Sequence, residues 1–229
     1  MTAPLTIAID GPSGSGKSSV SKAVAARLGI GYLDTGAMYR ALTWWCLERD
    51  LDLTDVDAVA AAARDLPLDL RTDPGAPTVL VDGTDVTAAI RTTEVSTAVS
   101  AVATNREVRP VLQQLQRDLM ARIAEQTGGV VAEGRDITTV VAPDARVRVL
   151  LTASEEARLR RRSAELHGRT DDSAVEATRD QVVRRDRDDS TVSTFTEAAE
   201  GVVLVDTSEL DLDQSVEAVL DVVAAETAE

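Results

Sequence analysis

Aromatic side chains are nearly absent: five occur in 229 residues, at Tyr32, Tyr39, Trp44, Trp45 and Phe195. They are too few and too clustered to form a platform on which nucleic-acid bases stack. The single cysteine, Cys46, cannot close an internal disulfide, which fits a reducing cytosol, and it reads as a buried apolar residue rather than a nucleophile. The single histidine, His167, lies in a polar stretch with no partner motif, and no His/Cys grouping has metal-ligand spacing. No structural metal and no histidine catalysis are therefore expected. No apolar run approaches the length of a membrane span. Positive charge is also scarce, with 24 Lys and Arg against 39 Asp and Glu and a net charge of −15. That balance opposes attachment to nucleic acid or anionic lipid, so neither is expected as a partner. Met1-Thr2-Ala3-Pro4 runs straight into the first strand without a leader pattern. A soluble, cytoplasmic monomer is expected. Lysine is the scarcest cation, present only at Lys17 and Lys22 beside 22 arginines. An isolated arginine thus says little here, whereas a lysine kept at position 17 says more.

That lysine belongs to the most informative stretch of the chain. An alternating apolar run over 5–9 reads as a strand, followed at once by G-x-x-x-x-G-K-S and a helical pattern over 19–28. Strand, loop and helix in that order are the context a phosphate-binding P-loop needs. Gly11, Gly14 and Gly16 let the backbone curl so that several N–H groups face one anion, and the helix N-terminus adds its dipole. Gly11, Pro12, Ser13, Gly14, Ser15, Gly16, Lys17, Ser18 and Ser19 are therefore the expected ATP-binding residues. Lys17 reaches the outer phosphates and the Ser18 hydroxyl holds the Mg²⁺ that accompanies ATP.

The remaining pattern alternates strand and helix, with one change of texture. Thr35 is placed as the N-cap of a helix running to about Arg49, with Arg40 one to two turns inside it and Trp44 and Trp45 as packing residues. From about residue 60 to 104, a strand over 66–70, a Pro-Gly turn and a second strand over 78–81 signal an antiparallel hairpin inserted into the α/β chain. A long amphipathic helix is expected over 105–126, beginning at Asn105. A short buried strand over 130–132 then delivers Glu133-Gly134-Arg135-Asp136 to its C-terminal end, where α/β sheets bind ligands. Strands over 146–151 and 202–205 and a closing helix over 212–225 complete the sheet and its cover. Residues 154–190 carry nine Arg and ten Asp or Glu. They read as two helices that form either a salt-bridged surface or a mobile lid bringing arginines over phosphates.

Phosphoryl transfer between two substrates needs a triphosphate cradle, cations on the moving group and a pocket for the acceptor. Arg40, Arg135 and the cluster Arg184, Arg185 and Arg187 are the candidate cations. Arg135 is the strongest of these, because it sits beside Gly134 at a strand end rather than on a charged helix.

Several blocks in fixed order now carry a family resemblance. They are I-D-G-P-S-G-S-G-K-S, the block Leu33-Asp34-Thr35-Gly36-Ala37-Met38-Tyr39-Arg40, and Ile90-Arg91-Thr92 with Glu94-Val95-Ser96. Glu133-Gly134-Arg135-Asp136 and Arg185-Asp186 with Asp189-Ser190 complete the set. Nearly end to end, the chain resembles the bacterial cytidylate kinases, P-loop nucleoside monophosphate kinases that phosphorylate CMP and dCMP with ATP. The resemblance implies a single three-layer α/β P-loop kinase domain over 1–229, with a parallel central sheet, an inserted monophosphate-binding part at 60–104 and a helical lid at 154–190. It implies that Thr35, Arg40 and Arg135 hold the CMP phosphate, that Ser100, Arg109 and Asp136 surround the cytosine, and that Arg185 and Asp189 reach phosphate and ribose. Lys17, Arg135 and Arg185 are then the expected catalytic residues. The 4-amino donor of cytosine suits the Asp136 carboxylate, whereas uracil would present it with an unpaired acceptor, so UMP is expected to be a poor substrate.

One departure stands out. The family often carries a further arginine and then Pro-Leu where this chain has Val192 and Phe195, so one phosphate contact is either missing here or supplied by Arg184 or Arg187. Among rival readings, a GTPase lacks its N-K-x-D motif, since the one asparagine, Asn105, precedes Arg106. A motor-type ATPase wants Asp-Glu where Asp206 precedes Thr207, and a dinucleotide fingerprint fails at Lys17. Another small-molecule P-loop kinase and a nucleotide-binding regulator without turnover are the remaining alternatives.

Overall fold

The computed structural model describes residues 3–228, excepting the side chains at 165–167, 172, 177, 180 and 181. Its centre is a five-stranded parallel sheet built from β1 (Leu5–Asp10), β2 (Gly31–Asp34), β6 (Gly129–Gly134), β7 (Val147–Thr152) and β8 (Val203–Asp206), in the order β2-β6-β1-β7-β8. Strand side chains alternate in direction, and β1 shows the consequence. Ile7 and Ile9 face a layer made by α1 (Lys17–Leu28) and α8 (Leu212–Thr227), where Val20, Val24, Val216 and Val219 meet them. Ala8 faces the opposite layer, where Leu119, Met120 and Ile123 of α5 (Val108–Thr127) close the core. The result is three layers, helix on sheet on helix.

A second, three-stranded antiparallel sheet interrupts this alternation: β3 (Leu68–Arg71), β4 (Thr78–Val81) and β5 (Thr84–Asp85). Its Val79 and Val81 pack on Ala37 and Ala41 of α2 (Thr35–Leu47), with Trp44 and Trp45 beside them. Around it, α3 (Val56–Arg64) and α4 (Thr93–Ala103) share an apolar cluster with α2 and α5, in which Cys46 is fully buried. The charged segment forms α6 (Glu155–His167) and α7 (Asp172–Ser190).

Three local expectations shift, each for a backbone reason. The N-cap of α2 is Asp34, whose carboxylate accepts the Ala37 N–H at 2.8 Å, and Thr35 is the first helical residue. Helix α5 starts at Val108 rather than Asn105, because the Asn105 side-chain oxygen accepts the N–H groups of Glu107 and Val108 and holds a turn before the helix. Strand β3 begins after Pro67, which has no N–H to offer a ladder.

Candidate active site

The register of the parallel sheet sets Asp10 opposite Gly134 and Asp34 opposite Glu133, so three carboxylates and the P-loop meet at one edge. The loop after β1 turns into α1 through Gly16, the N-cap, at φ 90°, a conformation that favours glycine. No side chain caps this helix, so the N–H groups of its first turn remain as donors. Gly11 is held by close approach: a Cβ there would lie 2.2 Å from the Leu151 carbonyl oxygen.

A cavity of about 630 Å³ opens above this edge. Lys17, Ser18, Arg40, Arg135, Arg184 and Arg185 line it, and Ser13, Gly14, Gly16, Ser19 and Ser100 contribute to its wall. Gly11, Pro12 and Ser15 do not reach it; they lie buried beneath the loop, where the Ser15 carbonyl accepts from Arg161 Nη1 at 3.2 Å. A smaller hollow of about 50 Å³ adjoins the cavity and shares Arg135 and Arg185 with it. It collects Thr35, Arg109, Asp136 and Asp189, together with Tyr39 and Ser193. Thus the residues expected at phosphate and base surround two joined spaces. Ser100 lines the larger one, while Val99 and Ala103 of the same helix line the smaller one with Arg109 and Asp136. Arg187 is 77% exposed at its side chain and pairs with Asp188, so of the two arginines expected to compensate at Val192 only Arg184 faces the cavity.

Buried carboxylates and cations meet in this cavity. Beside the P-loop, Glu133 Oε1 accepts from Ser18 Oγ at 2.6 Å and from the Tyr32 hydroxyl at 3.1 Å, and its Oε2 lies 4.0 Å from Lys17 Nζ. Burial raises the Glu133 carboxyl above its ordinary range, and burial lowers the Lys17 ammonium against the pull of Glu133. Burial would also raise Asp34, but Arg40 at 3.3 Å and Arg91 at 3.1 Å outweigh it and hold that carboxyl low. In the same cavity the guanidinium groups of Arg40, Arg135 and Arg185 crowd together. Burial, and then the charges of Arg40 and Arg135, push Arg185 down to about 9. Arg40 Nε and Arg185 Nε are buried donors without a hydrogen bond among the described residues. Such a group attracts an anion strongly, since each added negative charge relieves cation repulsion.

Arg135 is the most constrained of the three. It donates to Ser13 Oγ at 2.7 Å, pairs with Asp186 at 2.9 Å and Asp189 at 2.7 Å, and stacks 4.3 Å from the centre of the Phe195 ring. The family model for cytidylate kinase matches residues 7–225. This chain belongs to the cytidylate kinase family. It is 53% identical over 218 residues to a cytidylate kinase of Streptomyces avermitilis, covering 95% of this chain and 91% of that one. It is 51% identical over 224 residues to a cytidylate kinase of Cutibacterium acnes, covering 97% of each chain. A cytidylate kinase of Nocardia farcinica is 50% identical over 225 residues, covering 96% and 94%.

Several residues of this cytidylate kinase family member escaped sequence reasoning. Asp186 accepts the Ser13 N–H at 3.0 Å and pairs with Arg158, which also donates to the Ser13 carbonyl at 2.9 Å. Asp186 lies inside a family block but drew no role, and nothing in the pattern of 154–190 separates Arg158 from the many arginines around it. Gln113 donates to Asp136 Oδ2 at 2.7 Å, and only its position four residues after Arg109, one turn further on the same helix face, could have pointed to it. Asp34 and Glu133 sit inside the family blocks, yet their carboxylates drew no role. His167, expected to be a bystander, has its side chain outside the described residues. No cluster of three or more His, Cys, Asp or Glu able to hold a metal occurs among the described residues, and no described helix is long and apolar enough to cross a membrane.

Proposed function

We propose that this chain transfers the γ-phosphoryl group of ATP to CMP or dCMP, giving CDP or dCDP. The observation that carries the reading is the convergence of an uncapped P-loop helix and three arginines, Arg40, Arg135 and Arg185, on one cavity. Phosphoryl transfer asks little covalent chemistry of a protein; positioning and stabilisation of charge on the moving group supply most of the rate. Lys17 and the N–H groups of the α1 N-terminus hold the triphosphate. Thr35, Arg40 and Arg135 hold the acceptor phosphate in line with it, and Arg185 meets the charge that spreads over the transferred group. Asp136 accepts the 4-amino group of cytosine, with Arg109 and Ser100 toward the ring acceptors and Asp189 toward the ribose. In this reading the sheet and helices of 60–104 are the acceptor-binding part, and 154–190 is a lid that excludes water from the cavity.

Mg²⁺ fits the donors present. The Ser18 hydroxyl and the Glu133 carboxylate are hard oxygen donors beside the P-loop and would hold the ion there, whereas Asp34 is already taken up by the Ala37 N–H, Arg40 and Arg91. Held by these residues, it would supply positive charge against the outer phosphates. The reading places the protein in the cytoplasm, acting as a monomer, with Cys46 kept reduced.

ADP release from Mg-ATP with CMP, dCMP, UMP or AMP tests this directly. Turnover is expected with CMP and dCMP and weak with UMP, and Lys17→Ala is expected to lower it by about 100-fold or more. Preference for AMP, or turnover with none of the four, would overturn the reading.

A further inference from the structure

Asp136 is gripped from one side. Arg109 Nη2 donates to its Oδ2 at 2.6 Å, and Gln113 Nε2 donates to the same oxygen at 2.7 Å. The two donors lie one turn apart on α5, and no hydrogen bond to Oδ1 is found among the described residues. The Asp136 backbone is fixed independently, because its carbonyl accepts from the N–H groups of Val140 at 2.9 Å and Val141 at 3.1 Å. What those bonds leave free is the last torsion of the side chain, which is broad and two-fold for aspartate. Two donors on one oxygen settle that torsion and leave Oδ1 as the acceptor for the hollow that Asp136 lines.

The two donors are not equivalent. Arg109 divides its guanidinium among Asp136, the Ala103 carbonyl at 3.1 Å and Ser193 Oγ at 3.1 Å. Ser193 lies three residues beyond α7 and donates its N–H to the Asp189 carbonyl of that helix at 3.1 Å, so part of the Arg109 geometry depends on where the helix sits. Among the described residues Gln113 spends its amide on Asp136 alone, from a helix packed into the central core. Its orientation is also unambiguous: the flipped amide would set an oxygen against a carboxylate oxygen.

We infer that Gln113 is a positioning residue for base selection: by holding Asp136 Oδ2 it presents Oδ1 to the 4-amino group of cytosine, whatever the position of α7. This inference rests on the CMP kinase reading given above. It concerns discrimination rather than the transfer step, so its signature lies in acceptor KM and not in kcat.

The test compares the parent chain with Gln113→Leu, which removes the donor, and Gln113→Glu, which keeps the length and sets a carboxylate against Asp136. Steady-state ADP release is measured with CMP and UMP at fixed Mg-ATP, and again with varied ATP, alongside thermal melting. For Q113L, KM for CMP is expected to rise about 10-fold, and the CMP-over-UMP ratio of kcat/KM to fall by about the same factor. kcat with CMP and KM for ATP should stay within about two-fold of the parent. Q113E is expected to raise KM for CMP further, since like charges then face each other. A ratio of CMP to UMP unchanged in both variants, with normal CMP turnover by the parent, overturns the inference alone. Parallel losses in kcat, in KM for ATP and in melting temperature would make Gln113 a structural prop and also overturn it. No CMP-dependent ADP release by the parent overturns the CMP kinase reading, and the inference with it.

Discussion

Asp10 shows how a side chain with no expected role can govern its neighbours. It ends β1 in the core, where Oδ1 accepts the Ile137 N–H at 3.0 Å and Oδ2 accepts the Thr138 N–H at 2.8 Å and the Thr138 hydroxyl at 2.7 Å. These bonds fix the turn that follows Arg135 and Asp136. Burial pushes the Asp10 carboxyl up to about 6 from 3.8, despite the opposing pull of the three hydrogen bonds. A carboxyl raised on folding binds its proton more tightly in the native state. Its contribution to stability is therefore complete below pH 4 and lost as pH rises through 6. Urea melts between pH 3 and pH 7 should show the stability of the parent, measured relative to Asp10→Asn, falling over that window by about 3 kcal/mol. Parallel curves would mean that Asp10 does not titrate there in the folded chain. Lys17 and Arg135 were legible in the sequence because loop spacing and a strand end mark them locally. Asp10 and Gln113 were not, since their partners lie 128 and 23 residues away and neither stands in a motif that names a partner.

At the scale of elements, the long periodic segments were legible and their ends were not. Caps decide ends, and a cap depends on which side chain reaches a free N–H, as Asp34 and Asn105 show. The charged segment 154–190 had two readings, and the structure gives its helices two kinds of face. Outward, Arg160 pairs with Glu156, and Arg179 pairs with Glu155 and Glu176, all largely solvated and each pair contributing little. Inward, Arg158 and Asp186 grip Ser13 from α6 and α7, and Arg161 reaches the Ser15 and Thr207 carbonyls. Burial would raise the Asp186 carboxyl, but Arg135, the Ser13 N–H and Arg158 outweigh it and hold it below 3.8. A depressed carboxyl contributes its stability above its unfolded value, so this grip persists at neutral pH and is lost only as pH falls through the depressed value. Asp186→Asn removes the charge at constant size. Amide hydrogen exchange across 155–190 is expected to quicken about 10-fold without ligand, and to slow again with ADP and CMP bound, as phosphates replace the carboxylate between the arginines. Unchanged exchange in D186N would show that packing, rather than this ion pair, seats the two helices.

Across the whole molecule, the sequence announced an α/β chain with one antiparallel interruption, and the structure has that form. The order of the strands was not legible. That β6 lies between β1 and β2 follows from pairing across more than 90 residues, and Val, Ile and Ala runs buried on both faces look alike in every central strand. The same order brings cations from remote segments together: Arg40 follows β2, Arg135 follows β6, and Arg185 lies on α7, around one cavity in a molecule of net charge −15. Such a site favours a small anion that can enter it over a polyanion that must also meet the acidic surface. Because the cavity joins the central sheet, the inserted sheet and α7, a ligand filling it stabilises all three at once. CMP at about 100 times its Kd should add roughly 2.7 kcal/mol of stability, raising the melting temperature by about 5–10 °C. Lys17→Ala is expected to keep that shift while losing most of the one given by ADP, because the proposed function sets Lys17 against the triphosphate rather than the acceptor. If instead K17A lost both shifts equally, the two phosphates would share one subsite, and the division of the cavity into donor and acceptor sides would fail.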